Sequence, residues 1–301
     1  MEIVTTLFEG NYEKGVGALV NSLIQSSFEG IVCIGYRGTV PEWTSQLTRN
    51  GNHYILSDTI MIRFFKLSTD MHFGYYKPTF MNEMIVAYPN VSKIYYFDPD
   101  IVVTCRWSFI SSWAESGIGV CLDNCFPFVH YNHPWRRQWR HLAEDFISND
   151  LSYYVNSGFI GIAIENKQII ERWIMLTQKY IASDGDVSQF EKEGSRAFKG
   201  DQDLLNAAMT ISPDLPFSII GLEGMAFTSP NYLMAHAVEA VKPWNNNFLK
   251  EVIMRGLKPT MAAKLFFNNC SSPIKIYSNN ELFIRKLNLK TASLLGRIIG
   301  I

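Results

Sequence analysis

The sequence predicts an α/β protein built on a mixed, mainly parallel sheet flanked by helices, with a basic helical extension toward the C-terminal end. Three observations lead there. Short β-branched runs alternate with helix-period stripes from the first residues onward. The first two runs are separated by one amphipathic segment, the spacing of a right-handed βαβ unit. With 301 residues, 47% of them apolar, the chain can bury the core that such a sheet requires.

Taken in order, Glu2–Leu7 reads as a strand, and Asn11 is placed to cap the helix after it. Val16, Leu19, Val20, Leu23 and Ile24 form one apolar stripe on that helix. Ile31–Ile34, bracketed by Gly30 and Gly35, reads as a buried strand. A helix over Lys77–Tyr88 buries Phe80, Met81, Met84, Ile85 and Tyr88, and the strand Ile94–Phe97 runs into Asp98-Pro99-Asp100. Strands follow at Ile118–Leu122 and Tyr153–Ile164, then a helix marked by Ile169, Ile170, Trp173, Ile174, Thr177 and Ile181. Residues 183–200 have the polar, glycine-containing composition of a mobile loop, and a further helix opens at Asp201. This order divides one continuous domain into a nucleotide-binding half, about 1–103, and a substrate half, about 104–249.

Composition narrows the function classes. The net charge of −1 gives no overall pull toward nucleic acid. It averages two unlike parts: residues 1–249 hold 18 basic and 26 acidic side chains, and residues 250–301 hold 9 and 2. No apolar run is long enough for a membrane-spanning helix, and Met1–Gly15 lacks the pattern of a secretory leader. Five cysteines, an odd number in a large chain, fit reduced cytosolic thiols better than a disulfide framework. Cys121, Cys125, His130 and His133 lack a common zinc spacing and read as core thiols plus a loop. The basic and aromatic stretch His133–His141 suits sugar stacking or a solvated helix face better than nucleic acid.

Four segments carry chemistry. Asp98 and Asp100, at i and i+2 on an extended chain, point to one face at a strand end, where Pro99 disfavours helix. Paired carboxylates there suit a hard divalent ion, Mg²⁺ or Mn²⁺, shared with phosphates; the plain alternative is an acidic turn. In Tyr153–Phe159, small polar residues and Gly158 interrupt a strand, the mark of close ligand approach or of a simple bulge. In Gly200–Asn206 acidic residues open a helix, for which capping by Asp201 alone would account. In His236–Trp244, His236 and Lys242 could serve a metal and a phosphate, although a lone His is more often structural.

With these segments in this order, the chain resembles the GT-A fold glycosyltransferases, in particular retaining glycosyltransferase family eight of the bacterial galactosyl- and glucosyltransferase type. The likeness rests on the strand and helix Ile3–Leu23, the D-x-D motif, N-[AS]-G, D-Q-D-x-L-N and a closing H-x-x-G-x-x-K-P-W, and runs over residues 3–244. It implies that Asp98, Asp100 and His236 ligate Mn²⁺ or Mg²⁺ at the diphosphate of a nucleotide sugar, a UDP-hexose by the family's habit. Leu7, Glu9 and Asn11 would surround the base and ribose, and Asn156, Ser157 and Gly158 the donor sugar. Asp201 would bond its hydroxyls, and Gln202 would lie beneath the anomeric carbon. Lys242 would pair with the phosphates, Lys77 would touch phosphate or donor, and Asp123 would lie on the sugar or acceptor side. Same-face attack assisted by the leaving phosphate is then expected, with Asp203 keeping double displacement open.

Two positions depart from the pattern. Glu239 replaces the usual glycine before K-P-W, which would aim a carboxylate at the phosphates, and Glu9 stands where Asp is usual. The first departure suggests a non-catalytic sugar-nucleotide binder as the alternative. A nucleotidyltransferase is the remoter one, because Phe8–Gly15 with its single Lys14 is a poor phosphate loop. A saccharide or lipid-linked acceptor in cell-surface polysaccharide or lipopolysaccharide assembly follows from the family alone. The apolar and basic alternation within residues 275–301 suits an anionic membrane surface as well as it suits packing on the domain. A cytoplasmic chain, peripheral at the inner membrane face, is therefore expected.

Overall fold

The computed structural model describes residues 1–144, 147–190, 196–230 and 233–298. Strand β1 (Glu2–Glu9) and strand β2 (Gly30–Arg37) pair in parallel, with helix α1 (Glu13–Gln25) as their crossover. Between them and the next crossover lie β3 (Thr48–Asn50), β4 (His53–Ile55) and β5 (Ile60–Lys66). Helix α2 (Phe73–Ala87) then leads to β6 (Lys93–Phe97), which returns parallel to the other side of β1. This places β1 at the centre, which is why its residues Ile3–Phe8 are all buried.

Past the short strand β7 (Ile101–Val103) come α3 (Trp107–Glu115), β8 (Ile118–Cys121), α4 (Pro134–Ala143), β9 (Phe159–Ala163), α5 (Gln168–Ala182), α6 (Asp201–Thr210), β10 (Phe217–Ile220) and β11 (Met234–His236). The described strands form one nine-stranded sheet in the order β10-β8-β9-β6-β1-β2-β5-β4-β3 and a ribbon of β7 with β11. Among these strands only β9, between β6 and β8, and β4, between β5 and β3, run against the rest. One core packs α2, α4, α5 and α6 on one face of the sheet, and a second packs α1 and α3 on the other.

Local chemistry shifts several expected boundaries. Helix α2 begins at Phe73 rather than Lys77, because the His72 ring accepts the Gly74 N–H and caps it. Pro78 therefore sits inside the helix, and Lys77 is on its second turn rather than at its start. The expected strand Tyr153–Ile164 is regular only from Phe159, and Tyr153 and Val155 make isolated bridges. Asn11 caps nothing: helix α1 opens without a side-chain cap, and the Asn11 amide donates to Asn245 Oδ1. Of the expected mobile stretch 183–200, residues 191–195 lie outside the described residues. The His133–His141 segment forms most of α4, but Arg136 and Trp139 on it are buried, so it is not simply a solvated face.

The basic segment folds as α7 (Phe248–Arg255), α8 (Met261–Asn268) and α9 (Asn279–Ile298). Phe248, Val252, Phe266, Phe267, Leu282 and Leu289 share a third core with Ala18 of α1 and Trp244. Asn21 fastens this unit to α1. Its amide donates to Asn269 O (2.7 Å) and Ile274 O (2.8 Å) and accepts from Ile274 N (2.9 Å), all buried. Replacing Asn21 by Leu orphans three buried backbone groups at once, so a stability loss of about 2–4 kcal/mol is expected in urea unfolding. A loss below about 0.5 kcal/mol would show that the C-terminal helices are held elsewhere.

Candidate active site

The site lies where β1, β6 and the β7–β11 ribbon end, at the carboxyl edge of the parallel strands, as open α/β sheets favour. The Asp98–Asp100 pair is not extended. Ile101 N–H donates to Asp98 O (3.1 Å), closing a turn with Pro99 at its second position, where the fixed proline φ is favoured. The acidic turn and the ligand site weighed as alternatives are therefore the same object. Asp98 N–H is anchored on Gly158 O (2.7 Å), and Ala237 N–H on Asp100 O (3.1 Å).

The ribbon register pairs His236 with Ile101, 135 residues earlier in the sequence, which sets the imidazole beside the turn. His236 Nε2 stands 3.3 Å from Asp100 Oδ1 and 3.7 Å from Asp98 Oδ2. Asp98, Asp100 and His236 each offer a ligand atom within 4.8 Å of the others. The donor set of two carboxylates and one imidazole suits Mn²⁺ well and Mg²⁺ acceptably. The fit to an ion rests on Nε2, the ring nitrogen that faces both carboxylates, and on Gly158, where a Cβ would collide with the imidazole and push it away from them.

Two lysines hold the carboxylates together. Lys77, reaching from α2, lies 3.0 Å from Asp98 Oδ1 and 2.8 Å from Asp201 Oδ2, and donates to Ser157 O and Oγ. Burial opposes its charge, but Asp201 and Asp98 more than offset this, and its pKa stands above the usual lysine range. Lys242 donates to Asp100 Oδ2 at 2.7 Å and to Ala237 O at 2.8 Å. Asp100 is held well below the usual carboxylate range: burial raises it, and His236 and Lys242 outweigh that.

The N-terminus of α6 divides the labour of its acidic residues. Capping falls to Asp203, not Asp201. Asp203 Oδ2 accepts the N–H groups of Lys199 (2.6 Å) and Gly200 (3.3 Å), and Oδ1 accepts the Tyr154 hydroxyl (2.6 Å). Asp201 is thereby left to Lys77, and Gln202 Oε1 accepts Ser157 N–H at 3.2 Å.

These groups line a cavity of about 520 Å³ that also includes Leu7, Glu9, Asn156, Ser157 and Lys242. Three expected residues stand back from it. Asn11 faces Asn245; Asp123 accepts from Cys125 N–H, Phe126 N–H and the Asn156 amide; Gly158 acts through its backbone. Glu9, at the outer rim, pairs with Arg37 Nε at 3.3 Å. Glu239 does not border this cavity; it borders a different one, with Arg255 and Lys258. Sequence reasoning missed His72, Phe190, Tyr96 and Tyr154 in the lining. Tyr96 was findable, two residues before Asp98 on the same strand; Phe190 comes from an irregular segment with no pattern to read.

No protein-family model matches the sequence, and no curated protein sequence does. Solved structures do resemble it. A WbbM bifunctional glycosyltransferase in its apo form matches with TM-score 0.57 and 16% identity, over 94% of this chain and 51% of that one. The galactosyltransferase LgtC, in complex with donor and acceptor sugar analogues, matches with TM-score 0.54 and 14% identity, over 95% and 100%. An active-site mutant of LgtC gives 0.53 and 15%, over 93% and 98%. The chain thus spans about half of the WbbM chain and nearly all of LgtC. At such identities the likeness establishes the fold, and it is the GT-A fold expected from the sequence.

Burial lifts the Asp203 carboxyl to about 6, against the Tyr154, Lys199 and Gly200 hydrogen bonds that favour its charge. A carboxyl raised above its unfolded value stabilises the fold fully below that value and loses the contribution as pH climbs through the folded pKa. The stability difference between the wild type and Asp203→Asn is therefore expected to shrink by about 2–3 kcal/mol from about pH 4 to about pH 7.5. Urea unfolding of both proteins across that range checks it, and a flat difference would mean that Asp203 titrates as an ordinary carboxyl.

Proposed function

We propose that the chain is a divalent-metal-dependent glycosyltransferase that moves a hexose from a nucleoside diphosphate sugar, UDP-linked, to a saccharide or lipid-linked acceptor with retention at the anomeric carbon. One observation carries the reading: the Asp98–Asp100–His236 cluster and the Asp201–Gln202 pair open into one cavity. The GT-A fold supports it by analogy.

Asp98, Asp100 and His236 would hold Mn²⁺ or Mg²⁺, which supplies Lewis-acid stabilisation of charge on the departing diphosphate. Lys242 would add an ammonium at the same oxygens. Leu7 and Glu9 would meet base and ribose, and Asn156 and Ser157 the donor sugar. Asp201 would accept from sugar hydroxyls, oriented by Lys77. Asp203 caps α6 with one oxygen and accepts the Tyr154 hydroxyl with the other, which makes it a poor nucleophile. Gln202, the group facing the sugar, is neutral, so same-face attack assisted by the leaving phosphate is the better reading of retention.

Two observations weigh against the rival readings. The non-catalytic binder drew on Glu239, which borders another cavity. The nucleotidyltransferase needs a basic loop after β1, and Lys14 there lies over the Tyr277 ring instead.

No helix of the described residues is long and apolar enough to cross a membrane. We further propose a peripheral, cytoplasmic-face attachment. On α9, Phe283, Ile284, Leu287, Leu294 and Ile298 are exposed beside Lys290 and Arg297, and neighbouring α7 exposes Ile253 and Met254. Apolar side chains among cations fit an anionic bilayer surface; residues 299–301 of the expected segment lie outside the described ones.

In a panel of nucleotide sugars, Mn²⁺-dependent hydrolysis of a UDP-hexose is expected, lowered about 100-fold or more by Asp98→Asn. Full metal-dependent turnover in that variant would overturn the metal assignment, and a mass-trapped glycosyl adduct on Asp203 the same-face route. Flotation with phosphatidylglycerol vesicles is expected to carry the protein, and a Phe283→Ser, Ile284→Ser, Leu287→Ser variant to remain behind. Equal flotation of both would remove α9 from the membrane reading.

A further inference from the structure

At the inner end of the cavity the carboxylates of Asp98, Asp100 and Asp201 meet the ammonium groups of Lys77 and Lys242, and Asp203 and Glu9 belong to the same lining. Every carboxylate oxygen that faces His236 or a lysine is already engaged. Asp100 offers Oδ2 to Lys242 and Oδ1 to His236, while Asp98 offers Oδ1 to Lys77 and turns Oδ2 toward His236.

The two lysines differ in how firmly they are committed. Lys77 has four oxygen neighbours within 3.3 Å and a side chain only 5% exposed, so it has no other place to go. Lys242 has two, Asp100 Oδ2 and Ala237 O, its side chain is 15% exposed, and it follows the ribbon at the cavity wall. Lys242 can leave Asp100 by rotating about its own side chain, provided that another anion receives it.

Resting on the reading of this site as one for a divalent ion and a diphosphate, we propose that Lys242 is a placeholder cation that makes binding of the two mutually dependent. While the cavity holds neither, Lys242 occupies Oδ2, one of the two Asp100 oxygens, and leaves only Oδ1, the one facing His236, uncommitted to a lysine. A divalent ion binding alone would have to share Asp100 with the Lys242 ammonium 2.7 Å away, or displace that ammonium and leave it only the Ala237 carbonyl. With a diphosphate present, Lys242 moves to the phosphate oxygens and Asp100 is released. Linkage then requires that the diphosphate tighten the ion by the factor by which the ion tightens the diphosphate.

The test measures Mn²⁺ affinity by electron paramagnetic resonance and by thermal shift, with and without UDP, for the wild type, Lys242→Met and Lys242→Arg. Wild type is expected to bind Mn²⁺ weakly alone and at least about tenfold more tightly with UDP. Lys242→Met removes the competitor and a like charge, so Mn²⁺ alone is expected to bind about tenfold more tightly and to raise its melting temperature more than that of the wild type. The benefit of UDP to Mn²⁺ shrinks in this variant, whereas Lys242→Arg keeps the wild-type dependence. Unchanged or weaker Mn²⁺ binding by folded Lys242→Met, with UDP still tightening the ion as in wild type, would make Lys242 no placeholder and leave the proposed function standing. Wild type that binds no Mn²⁺ even with UDP would overturn the metal-site reading and this proposal together.

Discussion

Three carboxylates facing one cavity repel one another at a protein's low internal dielectric, and much of this architecture answers that constraint. Asp98, Asp100 and Asp201 can stand together because two ammonium groups reach between them from different layers. Lys77 rises from α2, packed against the sheet, and Lys242 comes from the loop beyond the ribbon. Removing Lys77 takes from buried Asp201 the cation that pairs with it, which in general costs more than the pair ever contributed, and removing Lys242 leaves Asp100 with His236 alone. Helix, sheet edge and ribbon are therefore parts of one charge arrangement as much as they are packing elements.

Close backbone approach makes the arrangement fit. Gly158 lets the His236 ring lie against the strand that anchors Asp98, and Gly15 lets α1 pass beneath the Pro99 carbonyl and the Trp244 ring. At both positions any side chain would push the acidic turn away from its partners. Here the glycines serve proximity rather than unusual backbone angles.

The fold was largely legible in the sequence because its strands are short apolar runs and its helices carry periodic stripes. The acidic turn, His236 and Lys242 were legible as motif residues, but not the reason they meet, which is an antiparallel pairing between segments with no local signal for each other. Boundaries failed where an unusual group intervened: His72 as a cap hid the first turn of α2, and Asp203 took the capping role assigned to its neighbour. Glu239 borders a different cavity from its neighbour Val238, which a motif alone does not tell. The lysine bridges were invisible because ion pairs between distant segments leave no periodicity to read.

The tie from Asn21 to residues 269 and 274 has a consequence for the order in which the molecule can assemble. Helix α1 is synthesised early, yet the groups that satisfy its buried amide lie 248 and 253 residues further along the chain. The face of α1 that supports the acidic turn through Gly15 also carries Ala18 into the third core, which includes Phe266 and Phe267. An emerging chain can form the central strands while still attached to the ribosome, but it cannot close the layer beneath the acidic turn until residue 274 has cleared the exit tunnel. Growing chains thus pass through a stage with the sheet built and its cavity edge unsupported, when apolar surface of α1 stands open to aggregation or to a chaperone.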